Sequence, residues 1–182
     1  METLNMVQWV VITGASSGIG QVLTIGFSNS GYNVLAIGRN EIALQRTKLL
    51  TKNSKVTIVI ADLSEESELD KVVKILKVKI KYLIHCVATT EPHLPLTTIT
   101  RAALEKAINV NVMAPIFLTQ KLALYFDAMT RVLFIGSDYI GVNNKIRPNI
   151  TGSYGISKSA LRVAVEYFRH EYKDTAFSFK SL

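Results

Sequence analysis

The sequence predicts an α/β fold in which a doubly wound parallel sheet is covered by helices on both faces. Short runs of β-branched residues alternate with longer segments of helical period along the 182 residues. Several of the short runs, such as VQWVVIT and VTIVIA, are apolar at nearly every position. This is typical of a parallel sheet, because strand–helix–strand units bury the strands on both faces.

Six strands and five helical segments follow from this alternation. The strands are predicted at residues 7–13, 33–38, 55–61, 82–87, 131–137 and 175–180. The helices are predicted at residues 19–29, 41–51, 65–76, 101–128 and 152–172, of which 101–128 is long enough for two helices. The chain length suits one substantial core, so we expect a single domain over residues 1–182 that ends at the sixth strand.

The composition narrows the class of protein. Hydrophobic residues make up 48% of the chain, but no uninterrupted apolar run reaches the roughly 18 residues of a membrane span. The N-terminal segment lacks the basic region of a signal peptide. The single cysteine, Cys86, allows no internal disulfide, and its apolar surroundings favour a packed thiol over a reactive one. We therefore expect a cytoplasmic protein without a membrane segment.

The charge of the chain is positive, with a formal net charge of +7. Its densest cluster comprises Lys71, Lys74, Lys77, Lys79 and Lys81. These lysines alternate with apolar residues, which favours the solvated face of a helix and its exit loop over a nucleic-acid surface. The three histidines are too scattered to predict a metal site.

A glycine-rich segment, TGASSGIG at 13–20, follows the first predicted strand and opens the first helix. Gly14 permits a tight turn, Gly18 lets the backbone approach a ligand, and Gly20 lets the helix pack closely on the strand. The free N–H groups and the positive dipole end of the helix then face an anion, although a tight turn without a ligand is the alternative. The predicted phosphate site comprises Gly14, Ser16, Ser17, Gly18, Ile19 and Gly20.

Arg39 follows the second predicted strand, about 20 residues after the glycine-rich segment, where dinucleotide-binding folds select their cofactor. An acid there would accept a hydrogen bond from the 2′-hydroxyl of the adenosine ribose. The planar guanidinium of Arg39 suits a 2′-phosphate instead, which predicts NADP rather than NAD. With Glu41 two residues on, the alternative is a solvent-facing charge near the cap of the next helix.

Asp62 ends the third predicted strand and has two interpretations. Its carboxylate could accept a hydrogen bond from the adenine amino group. Alternatively, Asp62 or Ser64 caps the helix that is predicted to begin at Glu65.

Tyr154 and Lys158 are four residues apart at the start of the last predicted helix. This spacing places them on one face, about 6 Å apart along the axis. A lysine cation near a phenol favours the phenolate and lowers the tyrosine pKa from its unperturbed value of about 10. The pair therefore predicts a general acid/base that works near neutral pH.

Six motifs occur in the order of one known family. They are TGASSGIG at 13–20, GRN at 38–40, DLS at 62–64, VNV at 110–112, IGS at 135–137 and YGISK at 154–158. Over essentially its whole length the sequence therefore resembles the short-chain dehydrogenase/reductase family. The resemblance implies a Rossmann-like dinucleotide-binding domain, a nicotinamide-dependent oxidoreductase acting on a small carbonyl or alcohol, and the adenine role for Asp62. It also implies a homodimer or homotetramer formed through the helices at 101–128 and 152–172, and no nucleic-acid partner is expected.

The resemblance assigns four catalytic roles. Tyr154 would protonate the carbonyl oxygen as hydride arrives, and Ser137 would hydrogen-bond that oxygen. Lys158 would lower the tyrosine pKa and bind the nicotinamide ribose, while Asn111 would hold a water that links Lys158 to solvent. As alternatives, Ser137 simply ends a strand and Asn111 stabilises a helix irregularity near Pro115.

The sequence departs from the family pattern in three places. It has His85-Cys86-Val87-Ala88 where the family has Asn-Asn-Ala-Gly, so we expect the Ala88 methyl to crowd the adenosine ribose. The wide separation of Ser137 and Tyr154 predicts that residues 138–151 bulge and line the substrate pocket. The substrate lid that family members carry after the sixth strand is missing. The chain is then either part of a longer protein or a short natural product, and the second case favours a non-catalytic NADP-binding or redox-sensing protein.

Overall fold

The computed structural model describes residues 8–52, 55–90, 95–137, 152–173 and 175–180. Six parallel strands form one sheet in the order β3-β2-β1-β4-β5-β6. The strands are β1 (Trp9–Thr13), β2 (Asn33–Gly38), β3 (Val56–Ile60), β4 (Ile80–His85), β5 (Arg131–Ile135) and β6 (Ala176–Lys180). The helices are α1 (Gly18–Asn29), α2 (Glu41–Leu49), α3 (Glu66–Ile75), α4 (Arg101–Ile108), α5 (Ala114–Leu122) and α6 (Gly152–Glu171). The predicted doubly wound parallel sheet is confirmed.

Two apolar clusters cover the two faces of the sheet. Alternate residues of a strand point to opposite faces, so Val10 and Ile12 enter one cluster while Val11 enters the other. Helices α1 and α2 pack on the cluster that contains Val10 and Ile12, and α3, α5 and α6 pack on the cluster that contains Val11. This two-sided burial explains why the central strands lack the polar alternation of a half-exposed sheet.

The fourth strand begins and ends two residues before its predicted bounds of 82–87. It begins at Ile80, which pairs with Trp9, and the register against β1 shifts between Trp9 and Val10. It ends at His85 because the N–H groups of the next two residues donate to the Thr13 hydroxyl, each at 3.2 Å, instead of continuing the ladder. A side chain therefore ends the pairing of β4 with β1.

The segment predicted at 101–128 is helical from Arg101 to Tyr125 but is not one regular α-helix. A π-helical turn, Asn109–Met113, joins α4 to α5, and a 3-10 turn, Ala123–Tyr125, follows α5. Pro115 has no N–H to donate to the carbonyl four residues before it, which favours a local change in the hydrogen-bond pattern.

The same segment, Arg101–Tyr125, is the only helix in the described part of the chain that is long and apolar enough to cross a membrane. Half of its most apolar window is buried inside the protein. Core helices of globular proteins pass the same test, and packing in the core accounts for the buried half of this window.

The start of α1 packs so closely on the preceding turn that Gly20 has no room for a side chain. A Cβ at Gly20 would overlap the carbonyl oxygen of Gly14. The sequence predicted a close approach of α1 to the strand, but the nearest backbone is that of the turn. Gly26, one and a half turns further along α1, is exposed and has no atom within 4 Å of an added Cβ.

These two glycines give a matched test of the packing. We expect Gly20→Ala to lower the free energy of unfolding by about 2–3 kcal/mol, because backbone atoms cannot yield as a side chain can. Gly26→Ala is expected to raise it by about 0.5–1 kcal/mol through helix propensity alone. Urea unfolding measures both variants, and equal stabilities would contradict this account of the turn.

Candidate active site

A cleft of about 290 Å³ opens at the carboxyl ends of β1, β2, β3 and β4. The sheet order reverses between β1 and β4, the position where open α/β sheets bind their ligands. The cleft brings together nine of the predicted cofactor residues: Gly14, Ser16, Ser17, Gly18, Ile19, Gly20, Arg39, Asp62 and Ala88. Tyr154 and Lys158, predicted to bind the cofactor as well, are not among the residues that line it.

The glycine turn at one wall of the cleft depends on two left-handed residues. Gly14 has φ +66° and Gly18 has φ +52°, conformations that a side chain disfavours. A Cβ at Gly14 would lie 2.8 Å from the Val87 nitrogen, whereas the space beside Gly18 is open. Ser17 is the N-cap of α1 and makes no side-chain capping bond. The first N–H groups of a helix have no partner within it, so this wall suits an anion.

Arg39 and Asp62 face each other at the end of the cleft that follows β2 and β3. Arg39 Nη1 lies 3.6 Å from Asp62 Oδ2, and both side chains are largely exposed, so the ion pair itself stabilises little. Desolvation opposes ionisation of Asp62. Hydrogen bonds from the Ser64 hydroxyl and N–H, together with the Arg39 charge, outweigh it and hold the pKa of the carboxyl below its usual range.

The capping alternative for Asp62 and Ser64 is wrong. The N-cap of α3 is Glu65, which makes no side-chain capping bond. Asp62 Oδ1 instead accepts hydrogen bonds from Ser64, at 3.1 Å from the N–H and 2.7 Å from the hydroxyl. Asn40, next to Arg39, caps α2 by accepting a hydrogen bond from Ala43. Neither Asp62 nor Arg39 therefore caps a helix, and both line the cleft.

Lys158 lies on α6 beneath Tyr154, as the four-residue spacing predicts. Its Nζ is 5.7 Å from the centroid of the Tyr154 ring and donates a 2.9 Å hydrogen bond to the Ile135 carbonyl at the end of β5. The lysine is only 2% exposed, and this burial lowers its pKa from 10.5 to about 8. Ser137, two residues after β5 ends, is buried as well.

Asn111 lies in the π-helical turn and is completely buried. Its Oδ1 accepts a hydrogen bond from the Thr89 N–H at 2.7 Å. Its Nδ2 donates to the Thr89 carbonyl at 2.8 Å and to the Ser157 hydroxyl at 2.9 Å. The side chain thus joins the loop after β4 to α6, one residue before Lys158. The helix irregularity near Pro115 exists, but the Asn111 amide forms its hydrogen bonds with residues outside it. The role of Asn111 in holding a water that links Lys158 to solvent stays a prediction.

Sequence reasoning did not include several residues that build this site. His85 is buried, hydrogen-bonds Thr119 at 2.8 Å and stacks on Phe134, and desolvation lowers its pKa to about 3, so it is neutral. Cys86 lines the cleft, and burial raises its pKa to about 12, as befits a packed thiol. Val87 also lines the cleft. A signal for all three exists in the sequence, because they lie at the carboxyl end of a predicted central strand.

One prediction about this region concerns residues that the structure does not describe. The substrate-pocket loop at 138–151 lies outside the described residues. Among the described residues, no three His, Cys, Asp or Glu side chains are grouped so that they could hold a metal ion.

The family model described as short chain dehydrogenase matches residues 8–180. The chain belongs to the short-chain dehydrogenase family. An uncharacterized short-chain type dehydrogenase/reductase from Sinorhizobium fredii is 27% identical over 88% of this chain and 62% of its own length. The 17-beta-hydroxysteroid dehydrogenase type 3 of Rattus norvegicus is 28% identical over 93% of this chain and 56% of its own length.

A solved structure shows the same short-chain dehydrogenase fold. The alcohol dehydrogenase from Thermococcus sibiricus, complexed with 5-hydroxy-NADP, matches with a TM-score of 0.83 and 21% identity over 95% of this chain and 74% of that one. This chain spans 62% and 56% of the lengths of the two curated relatives.

The buried lysine gives a pH-dependent stability. Its folded pKa of about 8 lies below the usual 10.5, so the charged form costs stability, and this cost is fully present below pH 8. As the pH rises past 8, the folded protein releases this proton before the unfolded chain does, and stability increases. Relative to Lys158→Met, the wild type should gain about 1 kcal/mol between pH 7 and pH 9.

Urea unfolding of both proteins across this range measures the difference. The range stops at pH 9 because the Cys86 thiol opposes the effect of the lysine at higher pH. Burial raises the pKa of this thiol from 9.0 to about 12, so the unfolded chain releases the proton first and stability falls as the pH rises. Parallel stability profiles for wild type and Lys158→Met would show that the amine is not held in a desolvated site.

Proposed function

We propose that this protein is an NADP-dependent oxidoreductase that transfers a hydride between nicotinamide and a carbonyl or alcohol substrate. The observation that carries the proposal is the buried Lys158 amine beneath the Tyr154 ring, next to a cleft with a glycine turn and a basic rim. No carboxylate of the described residues forms an ion pair with this amine. Burial of a charged amine is costly, and such groups cluster at functional sites.

The cleft fits a dinucleotide on its own geometry. Gly18 leaves the backbone bare where a diphosphate would lie, and the start of α1 supplies N–H donors. Arg39 offers a guanidinium for a 2′-phosphate, and Asp62 an acceptor for the adenine amino group. The complex of the Thermococcus sibiricus enzyme with 5-hydroxy-NADP supports the same cofactor class. Bound nicotinamide would supply or accept the hydride.

The residues of this chain would move the proton that accompanies hydride transfer. In the reductive direction the carbonyl carbon gains the hydride and Tyr154 donates the phenolic proton to the oxygen, so the product is an alcohol. Lys158, whose charge lies close to the ring, stabilises the phenolate that remains. Ser137 hydrogen-bonds the substrate oxygen, and a water held by Asn111 would return a proton by way of Lys158.

We further propose that the partner of this chain is a second copy of itself, in a homodimer or homotetramer in the cytoplasm. Apolar side chains from 42% to 66% exposed occur at helical spacing on the π-helical turn, α5, the 3-10 turn after it, and α6. They are Met113, Phe117, Leu124, Ile156, Val163 and Tyr167. Burial of such stripes against an equivalent surface is favourable.

Arg39 is expected to set the cofactor preference. Arg39→Ala should weaken NADPH binding roughly 10–100-fold and leave NADH binding unchanged, because only the 2′-phosphate loses a charge-assisted hydrogen bond. Fluorescence titration with both cofactors measures this. Arg46→Ala, on α2 but not lining the cleft, is the control and should bind both as the wild type does. An Arg39→Ala variant that kept its preference for NADPH would remove the phosphate contact.

Tyr154 is expected to be the acid. With NADPH and a panel of ketones and aldehydes, Tyr154→Phe should lower the rate about 10²–10⁴-fold while NADPH still binds. Tyr32→Phe removes the same hydroxyl just before β2, at the edge of the sheet opposite the cleft, and should retain full activity. Equal rates for wild type and Tyr154→Phe would exclude the tyrosine as the acid. NADPH binding without turnover of any substrate would favour the non-catalytic alternative.

A further inference from the structure

The hydroxyl of Thr47 connects three parts of the molecule behind the cleft. Thr47 lies on α2 and is completely buried. Its Oγ1 accepts a 3.1 Å hydrogen bond from Gln21 Nε2 on α1. The same hydroxyl lies 3.2 Å from the Ala15 carbonyl oxygen and 3.0 Å from the Ala43 carbonyl oxygen, and its one proton serves both.

The contact with Ala15 is unusual for a threonine within a helix. A helical threonine normally bonds only the carbonyl four residues before it, which is here that of Ala43. Ala15 is 32 residues away in sequence and belongs to the glycine turn. The second acceptor therefore lies in the wall of the site rather than in the helix.

Two hydrogen bonds fix the peptide groups on both sides of Ala15. Its N–H donates to the Ile37 carbonyl of β2 at 3.0 Å, and its carbonyl receives the Thr47 hydroxyl. Its neighbours, Gly14 and Ser16, line the cleft. Because a turn rich in glycine has wide conformational freedom, these two bonds restrict the direction in which its N–H groups point.

The helix that carries Thr47 follows Arg39, the basic residue that lines the cleft. It begins directly after Arg39, where Asn40 accepts a hydrogen bond from the Ala43 N–H at 3.0 Å. The carbonyl of Ala43 is the second acceptor of the Thr47 hydroxyl. The first turn of α2 thus connects the Arg39 end of the cleft to the glycine turn.

We propose that Thr47 is a positioning residue for dinucleotide binding, which it assists by fixing the glycine turn through the Ala15 carbonyl. This inference rests on the proposed cofactor. Thr47 touches no ligand itself. Its hydroxyl reduces the ordering that the turn must undergo on binding, and pre-organisation of this kind increases affinity.

Thr47→Val tests the proposal because it keeps the branched shape and removes the hydroxyl. We expect NADPH to bind roughly 5–10-fold more weakly, and amides of residues 14–20 to exchange hydrogen faster in the free protein. Thr47→Ser retains the hydroxyl and should restore both properties, even if the lost methyl lowers stability.

Thr130→Val is the matched control. The Thr130 hydroxyl is also completely buried, donates to the Ile80 carbonyl at 2.8 Å and accepts from the Asp127 N–H at 3.0 Å. It lies at the amino ends of the strands, away from the cleft. The variant should lose stability as Thr47→Val does, with NADPH affinity and exchange in residues 14–20 unchanged.

The outcomes separate this proposal from the cofactor assignment. If Thr47→Val binds NADPH as tightly as Thr130→Val while fully folded, the positioning role is overturned. If the wild type itself does not bind NADPH, the cofactor assignment fails. Hydrogen exchange then decides the role of Thr47 in the turn, and unchanged exchange in Thr47→Val overturns it.

Discussion

The close approach of Gly14 to the backbone after β4 is the contact on which the cleft depends. A Cβ at Gly14 would lie 2.8 Å from the Val87 nitrogen and 2.9 Å from the Cys86 carbonyl carbon. The Thr13 hydroxyl, next to it, takes up the N–H groups of the same two residues. A missing side chain and a substituted hydrogen bond therefore end the pairing of β1 with β4 and still satisfy the N–H groups of Cys86 and Val87. The cleft opens beyond this point, at the carboxyl ends of the two strands.

Charged groups lie in two regions, one in the cleft and one beside it. Arg39 and the start of α1 present positive charge and N–H donors in the cleft, and the Asp62 carboxylate among them is restrained by Ser64. Beside the cleft, outside its lining, Lys158 is buried near Cys86, whose thiol stays protonated. The proposed dinucleotide matches this division, with its phosphates at the basic region and its nicotinamide ring toward Tyr154 and Lys158. A compact anion matches only half of it.

The sequence predicted the features that depend on local chemistry. Strand burial, the glycine turn and the pairing of Tyr154 with Lys158 follow from periodicity and spacing, and the structure has each of them. Features that depend on contacts distant in sequence were not predicted. The end of β4 is set by the Thr13 hydroxyl, and the bonds of Asn111 reach Thr89 and Ser157. A single sequence contains no signal for such pairs.

Lys158 shows why these distant contacts matter for function. An amine that is 2% exposed and donates to the Ile135 carbonyl loses hydration that this bond does not replace, and its lowered pKa records the cost. Asn111 bonds the residue before it and so holds this part of α6 against the loop after β4. Holding a cation beneath Tyr154 therefore lowers the stability of the fold. A merely structural lysine would be stabilised by reaching solvent, so its burial favours chemistry at this tyrosine over a purely architectural role.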